Sequence, residues 1–164
     1  MGSGKSSVGR VLSHKNAIPF YDLDQLISQI EQKSIAELFK SSGEVYFRKK
    51  ESQVFKEFLA SNNHFVLALG GGTPCYANNH ELLKPEDIQS IYLKTSVDVL
   101  MERLKGETEQ RPLLANLSDQ ELKEYINKHL FDRNYYYHQA KFTIHTDGKS
   151  KEEIAAEIQS LLGL

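Results

Sequence analysis

The segment Gly2-Ser3-Gly4-Lys5-Ser6-Ser7 constrains this chain more than any other, because it is the second half of the phosphate-loop pattern G-x-x-x-x-G-K-[ST]. Glycines there let backbone N–H groups turn inward around phosphate oxygens. The lysine reaches the outer phosphates, and the Ser6 hydroxyl can ligate Mg²⁺. Val8, Val11 and Leu12 follow at helical spacing, so the loop opens a helix whose positive dipole end points at the same anion. A plain Gly/Ser linker is the bland alternative, and it gives no reason for that apolar stripe. The pattern's first glycine and the strand that leads into it do not appear, since only Met1 stands upstream of Gly2. Met1 reads as an internal methionine taken as the start, with a chain that truly lacks the strand as the alternative.

Strand and helix signals alternate along the rest of the chain. Ile18–Asp22, Ile91–Leu93 and Phe142–Ile144 read as short strands. Phe65-Val66-Leu67-Ala68-Leu69 is apolar on both faces, which suits a central parallel strand. Ser34…Glu37, Ser118…Glu121 and Ser150…Glu153 are capping boxes, each predicting a helix start. Gly43 reads as a helix stop, followed by a second helix carrying Val45, Phe47, Val54, Phe55, Phe58 and Leu59. The alternation predicts an α/β fold of three layers with a central parallel sheet, in one domain over residues 1–164. Residues 105–116 are polar, lack periodicity and read as an exposed lid loop.

Charge narrows the function classes. The formal net charge is −2, with basic residues spread along the chain. That excludes a general nucleic-acid or membrane-surface protein, so any anion site must come from local convergence of a few cations. The single cysteine, Cys75, excludes an internal disulfide and fits a reducing, cytoplasmic setting. No apolar run is long enough to span a membrane, and the histidines lack metal-ligand spacing.

Four constellations can carry chemistry. Asp22 and Asp24, at i and i+2 at a strand's carboxyl end, can face one crevice, one through a Mg²⁺-bound water and one accepting from a substrate hydroxyl. The competing reading is that Asp24 merely caps the next helix. Arg48 and Glu51 are helical neighbours, so Glu51 could hold Arg48 as a fork for a carboxylate or phosphate, or the two could form an exposed salt bridge. Gly70-Gly71-Gly72 directly follows the most apolar strand and permits close backbone approach to a ligand. Arg111, in the R-P-L-L of the loop, is placed to bring charge to a transferring phosphoryl group, while Arg133 precedes Tyr135-Tyr136-Tyr137 on a long helix.

In their order and spacing, the phosphate loop, D-x-D, F-R-x-x-E, G-G-G, R-P-L-L and R-x-x-Y (Arg133 to Tyr136) resemble those of the shikimate kinase family over essentially the whole chain. The resemblance implies a P-loop kinase fold with about five parallel strands, the first missing here, and transfer of phosphate from ATP to the 3-hydroxyl of shikimate. It implies that Gly2, Ser3, Gly4, Lys5, Ser6 and Ser7 hold the ATP phosphates, with Mg²⁺ on Ser6 and Asp22 in its outer shell. Asp24 would bind the substrate hydroxyls and take the proton from the attacking one. Arg48 and Arg133 would clamp the carboxylate, Gly70, Gly71 and Gly72 would contact the ring hydroxyls, and Arg111 would neutralise the transferring phosphoryl group. Arg103 and the Thr146–Ser150 loop would flank the adenine. The partners implied are small molecules only, ATP and shikimate, acting on a cytoplasmic monomer. A related kinase for gluconate or another hydroxy acid, or a truncated non-catalytic homologue, are the alternatives. Without the first strand, its neighbours must close a gap or leave buried backbone groups unpaired.

Overall fold

A computed structural model describes residues 2–105 and 117–164. Among the described residues, four short strands lie among six α-helices: α1 (Lys5–Asn16), β1 (Phe20–Asp22), α2 (Leu23–Glu31), α3 (Ile35–Ser61), β2 (Val66–Ala68), β3 (Ile91–Lys94), α4 (Val97–Lys105), α5 (Asp119–Tyr137), β4 (Phe142–His145) and α6 (Lys151–Leu162). Among the described residues, no helix is long and apolar enough to cross a membrane.

Local chemistry set the helix starts as expected. Ser34, Ser118 and Ser150 each accept from the backbone N–H three residues on, and Glu37, Glu121 and Glu153 each reach back to the cap. Gly43 interrupts the helix where the sequence expects a stop, and a second helical stretch follows it. Its backbone takes φ 79° and ψ 171° inside α3, and helical structure resumes at once. Only glycine adopts that conformation cheaply, so the position is a kink. Val45, just past the kink, is 72% exposed and is not part of the apolar face expected of it.

Parallel pairing joins β1 to β2, with Asp22 opposite Ala68, and β3 to β4, with Lys94 opposite His145. The two pairs are separate sheets rather than the one continuous sheet that the sequence predicts. β2 and β3 instead form opposite walls of a cavity of about 680 Å³, lined by Val66, Leu67 and Leu93 from the strands and by residues of α1, α5 and α6. β2 and β3 therefore do not pair with each other across this cavity. Helices bridge the two pairs: α1 and α6 bury Val8, Leu12, Ile154 and Ile158 with Leu93 and Ile144, and Val66 of β2 packs against them. On the other half, Leu23 and Ile27 of α2 pack on Leu38, Phe47, Val54 and Phe55 of α3. Leu100 and Leu104 of α4 meet Leu122 and Ile126 of α5 in a third cluster. Gathering the strands' carboxyl ends at one edge places Asp22, Gly70 and the phosphate loop close together.

Candidate active site

At the head of α1, Gly4 is the N-cap at φ 86° and supplies no side chain to the first turn. The helix's leading amides are thus left without a side-chain cap, as an anion site requires. Behind the loop, Arg103 Nη1 donates to the Gly2 carbonyl at 3.2 Å. Arg103 is therefore packed on the phosphate loop itself, and its charge also draws on Asp147. The adjoining loop is tied down separately. Thr146 and Thr95 share a buried hydroxyl–hydroxyl bond at 2.7 Å, and Asp147 Oδ1 accepts from the Ser96 N–H at 3.0 Å. Ser150 is a helix cap.

Ser6 and the two aspartates come together across the first turn of α1. The Ser6 hydroxyl donates to Asp22 Oδ2 at 2.7 Å, while Asp22 Oδ1 accepts from the Asp24 N–H at 3.1 Å. Asp22, not Asp24, caps α2. That frees the Asp24 carboxylate from the capping role that competed for it. Burial first, then repulsion from Asp22 and Glu51, holds the Asp24 carboxyl above its ordinary value, against the pull of Lys5 and Arg48. The same fields show that Lys5, Asp22, Asp24, Arg48 and Glu51 share one neighbourhood.

Arg48 is fixed as the spacing suggested, although not on an exposed helix face. Its Nη1 donates to Glu51 Oε2 at 2.9 Å, and Glu51 is completely buried. The second Glu51 oxygen accepts from the Thr73 hydroxyl at 2.6 Å. A buried carboxylate without such partners would be costly, so this pair is held tightly. Ser52 and Asn79 extend the network: the Ser52 hydroxyl donates to Asn79 Oδ1 at 2.8 Å, and the Asn79 amide to the Thr73 carbonyl at 2.9 Å.

The glycine run earns its place by space. A methyl at Gly72 would lie 2.7 Å from both Nη atoms of Arg48, and one at Gly70 would lie 3.0 Å from Glu51 Oε1 and 3.2 Å from Asp24 Oδ1. Gly71 offers its carbonyl to the Tyr137 hydroxyl at 2.7 Å. Tyr137, rather than the Tyr136 of R-x-x-Y, thus ties α5 to the loop, while Tyr136 packs against His80. Arg133 lies beside that hydroxyl, one helical turn back. Burial pushes the Cys75 thiol up while Arg133 and Arg48 pull it down, which sets both guanidinium groups around the same turn. Thr73, Asn79, Tyr76 and Tyr137 carried no motif in the sequence. Arg111, at the loop's R-P-L-L, lies outside the described residues.

A phosphate loop, an aspartate held by its neighbours and a braced arginine fork meet at one strand edge. Comparison with known proteins gives the arrangement a family: a model of the shikimate kinase family matches residues 1–162. The chain belongs to that family. A shikimate kinase of Flavobacterium psychrophilum is 51% identical over 162 residues, which is 99% of this chain and 94% of that relative. Among solved structures, a shikimate kinase from Bacteroides thetaiotaomicron superposes with a TM-score of 0.92 at 33% identity, covering 100% of this chain and 94% of the other. A shikimate kinase from Acinetobacter baumannii, in complex with shikimate, gives 0.86 at 33% identity, with 99% of this chain and 89% of the other covered. The family's fold is therefore that of this chain as well.

Proposed function

We propose that this chain transfers the γ-phosphoryl group of ATP to the 3-hydroxyl of shikimate. The observation that carries the reading is the buried Glu51, which holds Arg48 at 2.9 Å in the neighbourhood of Asp24. A fixed cationic fork beside a free carboxylate suits an acceptor carrying both a carboxylate and hydroxyls. Arg48 and Arg133 take the acceptor's carboxylate, and Asp24 accepts from the hydroxyl that attacks. Phosphoryl transfer has a loose transition state, so positioning and charge neutralisation matter more than base strength. Asp24 needs no unusual basicity for that role.

Lys5 and the amides of Gly2 to Ser7 hold the phosphates of ATP. Ser6 and Asp22 are hard oxygen donors joined at 2.7 Å, and such a pair fits Mg²⁺, which prefers few protein ligands plus phosphate and water. When bound, the ion neutralises charge on the β and γ phosphate oxygens. By its motif, Arg111 is the cation assigned to the transferring phosphoryl group. Arg103, against Gly2, braces the loop from the side on which we place the base of the nucleotide.

The direct test is ADP release from Mg²⁺ and ATP with and without shikimate, alongside gluconate and other hydroxy acids. Release that depends on shikimate alone is the expected result; release with gluconate instead would overturn the substrate. Gly72→Ala offers a second check. Gly72 sits at φ −92°, which alanine tolerates, so the only new effect is the clash with Arg48. Such overpacking costs about 1–3 kcal/mol, so the KM for shikimate should rise about tenfold while that for ATP stays put. A matching rise for ATP would place Arg48 elsewhere in the reaction.

A further inference from the structure

Arg48 is held by more than Glu51. Tyr76, which follows the buried turn of Thr73–Cys75, sets its ring centroid 4.4 Å from Arg48 Cζ. Its hydroxyl donates to Glu44 Oε1 at 3.1 Å, and that same oxygen accepts from Arg48 Nε at 3.4 Å. Tyr76, Glu44 and Arg48 therefore close a triangle around the guanidinium. Of the five N–H donors an arginine carries, one on Nε is engaged by Glu44 and one on Nη1 by Glu51. The other three are engaged by no other group among the described residues, while Gly72 lies against the guanidinium.

We infer that Tyr76, acting through its ring and through Glu44, is a positioning residue for the fork that receives the substrate carboxylate. The inference rests on the reading of Arg48 given above. An unrestrained arginine must lose rotamer freedom when it binds, and a fork immobilised beforehand avoids that cost. Glu51 restrains one end of the guanidinium from within α3. The Tyr76–Glu44 arm restrains the other, and its ring comes from a separate segment of the chain. Tyr76 is 39% exposed and Glu44 lies at the surface, so neither is needed to complete the core. The arm thereby links the turn after Gly72 to the helix bearing Arg48, and the substrate carboxylate is expected to meet a fork already aimed.

The test compares Tyr76→Ala and Tyr76→Phe with the parent in steady-state kinetics, varying shikimate and ATP separately. Loss of the ring and its hydroxyl should raise the KM for shikimate about tenfold, with the KM for ATP and the melting temperature unchanged. Tyr76→Phe keeps the ring but loses the Glu44 bond and should fall between, at roughly threefold. With shikimate's carboxamide as acceptor, parent and Tyr76→Ala should behave alike, because no carboxylate reaches the fork. An unchanged shikimate KM in Tyr76→Ala, or equal losses for both substrates, would overturn the inference while leaving the kinase reading intact. A parent with no shikimate-dependent turnover would overturn that reading, and this inference with it.

Discussion

Asp24→Asn is expected to cost turnover about a hundredfold, at the low end for a positioned general base, and yet to make the folded protein more stable at neutral pH. The first half follows from geometry. Asp22 caps α2 and partners Ser6, which leaves the Asp24 carboxylate available for the role proposed for it. ATP affinity should hold, because the phosphate loop does not depend on Asp24. The second half follows from linkage. Burial raises the carboxyl's folded value above its unfolded one, so the folded state binds this proton more tightly. Whatever stability the protonated group contributes is fully present below the unfolded value and is lost as pH rises through the folded value. Above that window the buried charge is a standing cost, and the amide removes it. Chemical denaturation at neutral pH and again in mild acid reads the effect: Asp24→Asn should exceed the parent at neutral pH, and the gap should close in acid. Equal losses in turnover and ATP binding would count against the assigned role. A gap that widened in acid would reverse the sign of the argument.

The second large effect concerns the cavity between the half-sheets. Placing a strand of about five β-branched residues and the pattern's first glycine ahead of Met1 is expected to raise the melting temperature by about 10 °C. Ser3 and Lys5 of the phosphate loop line the same cavity as Val66 and Leu93, so a segment leading into Gly2 enters between β2 and β3. Each buried Val or Ile side chain contributes about 1.5–3 kcal/mol, against about 1–2 kcal/mol per residue for ordering the backbone. The surplus comes from pairing two strand edges at once and from filling apolar space. A polar segment of equal length is the control. If both raised the melting temperature alike, filling of this cavity would not be the cause. If neither did, the half-sheets would have to be self-sufficient. The expected gain should extend to ATP affinity, because the loop would then be anchored on both sides.

The two expectations share a physical root. A functional carboxylate kept partly out of water and a phosphate loop opening a helix both need a rigid edge behind them. Here β1 and β2 supply that edge for Asp24 and Gly70, through the register that sets Asp22 opposite Ala68. Glu51 supplies it for Arg48.

What could be read from the sequence was whatever repeats within a turn or two of chain. The capping boxes at Ser34, Ser118 and Ser150 involve partners three residues apart, and all formed. Arg48 and Glu51 are likewise one turn apart, so their pairing was legible, and so was the loop from Gly2 to Ser7 as the opening of α1. Even locally there were limits. Gly43 divides α3 where expected, but Val45 just past it is exposed rather than on the apolar face the pattern assigned to it. Only the tertiary structure could put Thr73 on Glu51, Tyr137 on Gly71, or Tyr76 over Arg48. Those contacts join residues 22, 66 and 28 positions apart, where no periodicity links the partners. The same holds for the open slot. A run such as Phe65–Leu69 announces a strand buried on both faces, but which edges it pairs depends on the strands that arrive beside it. Side-chain chemistry along a helix is dictated by neighbours in sequence; the identity of a strand's partners, and the space between them, is dictated by the whole chain.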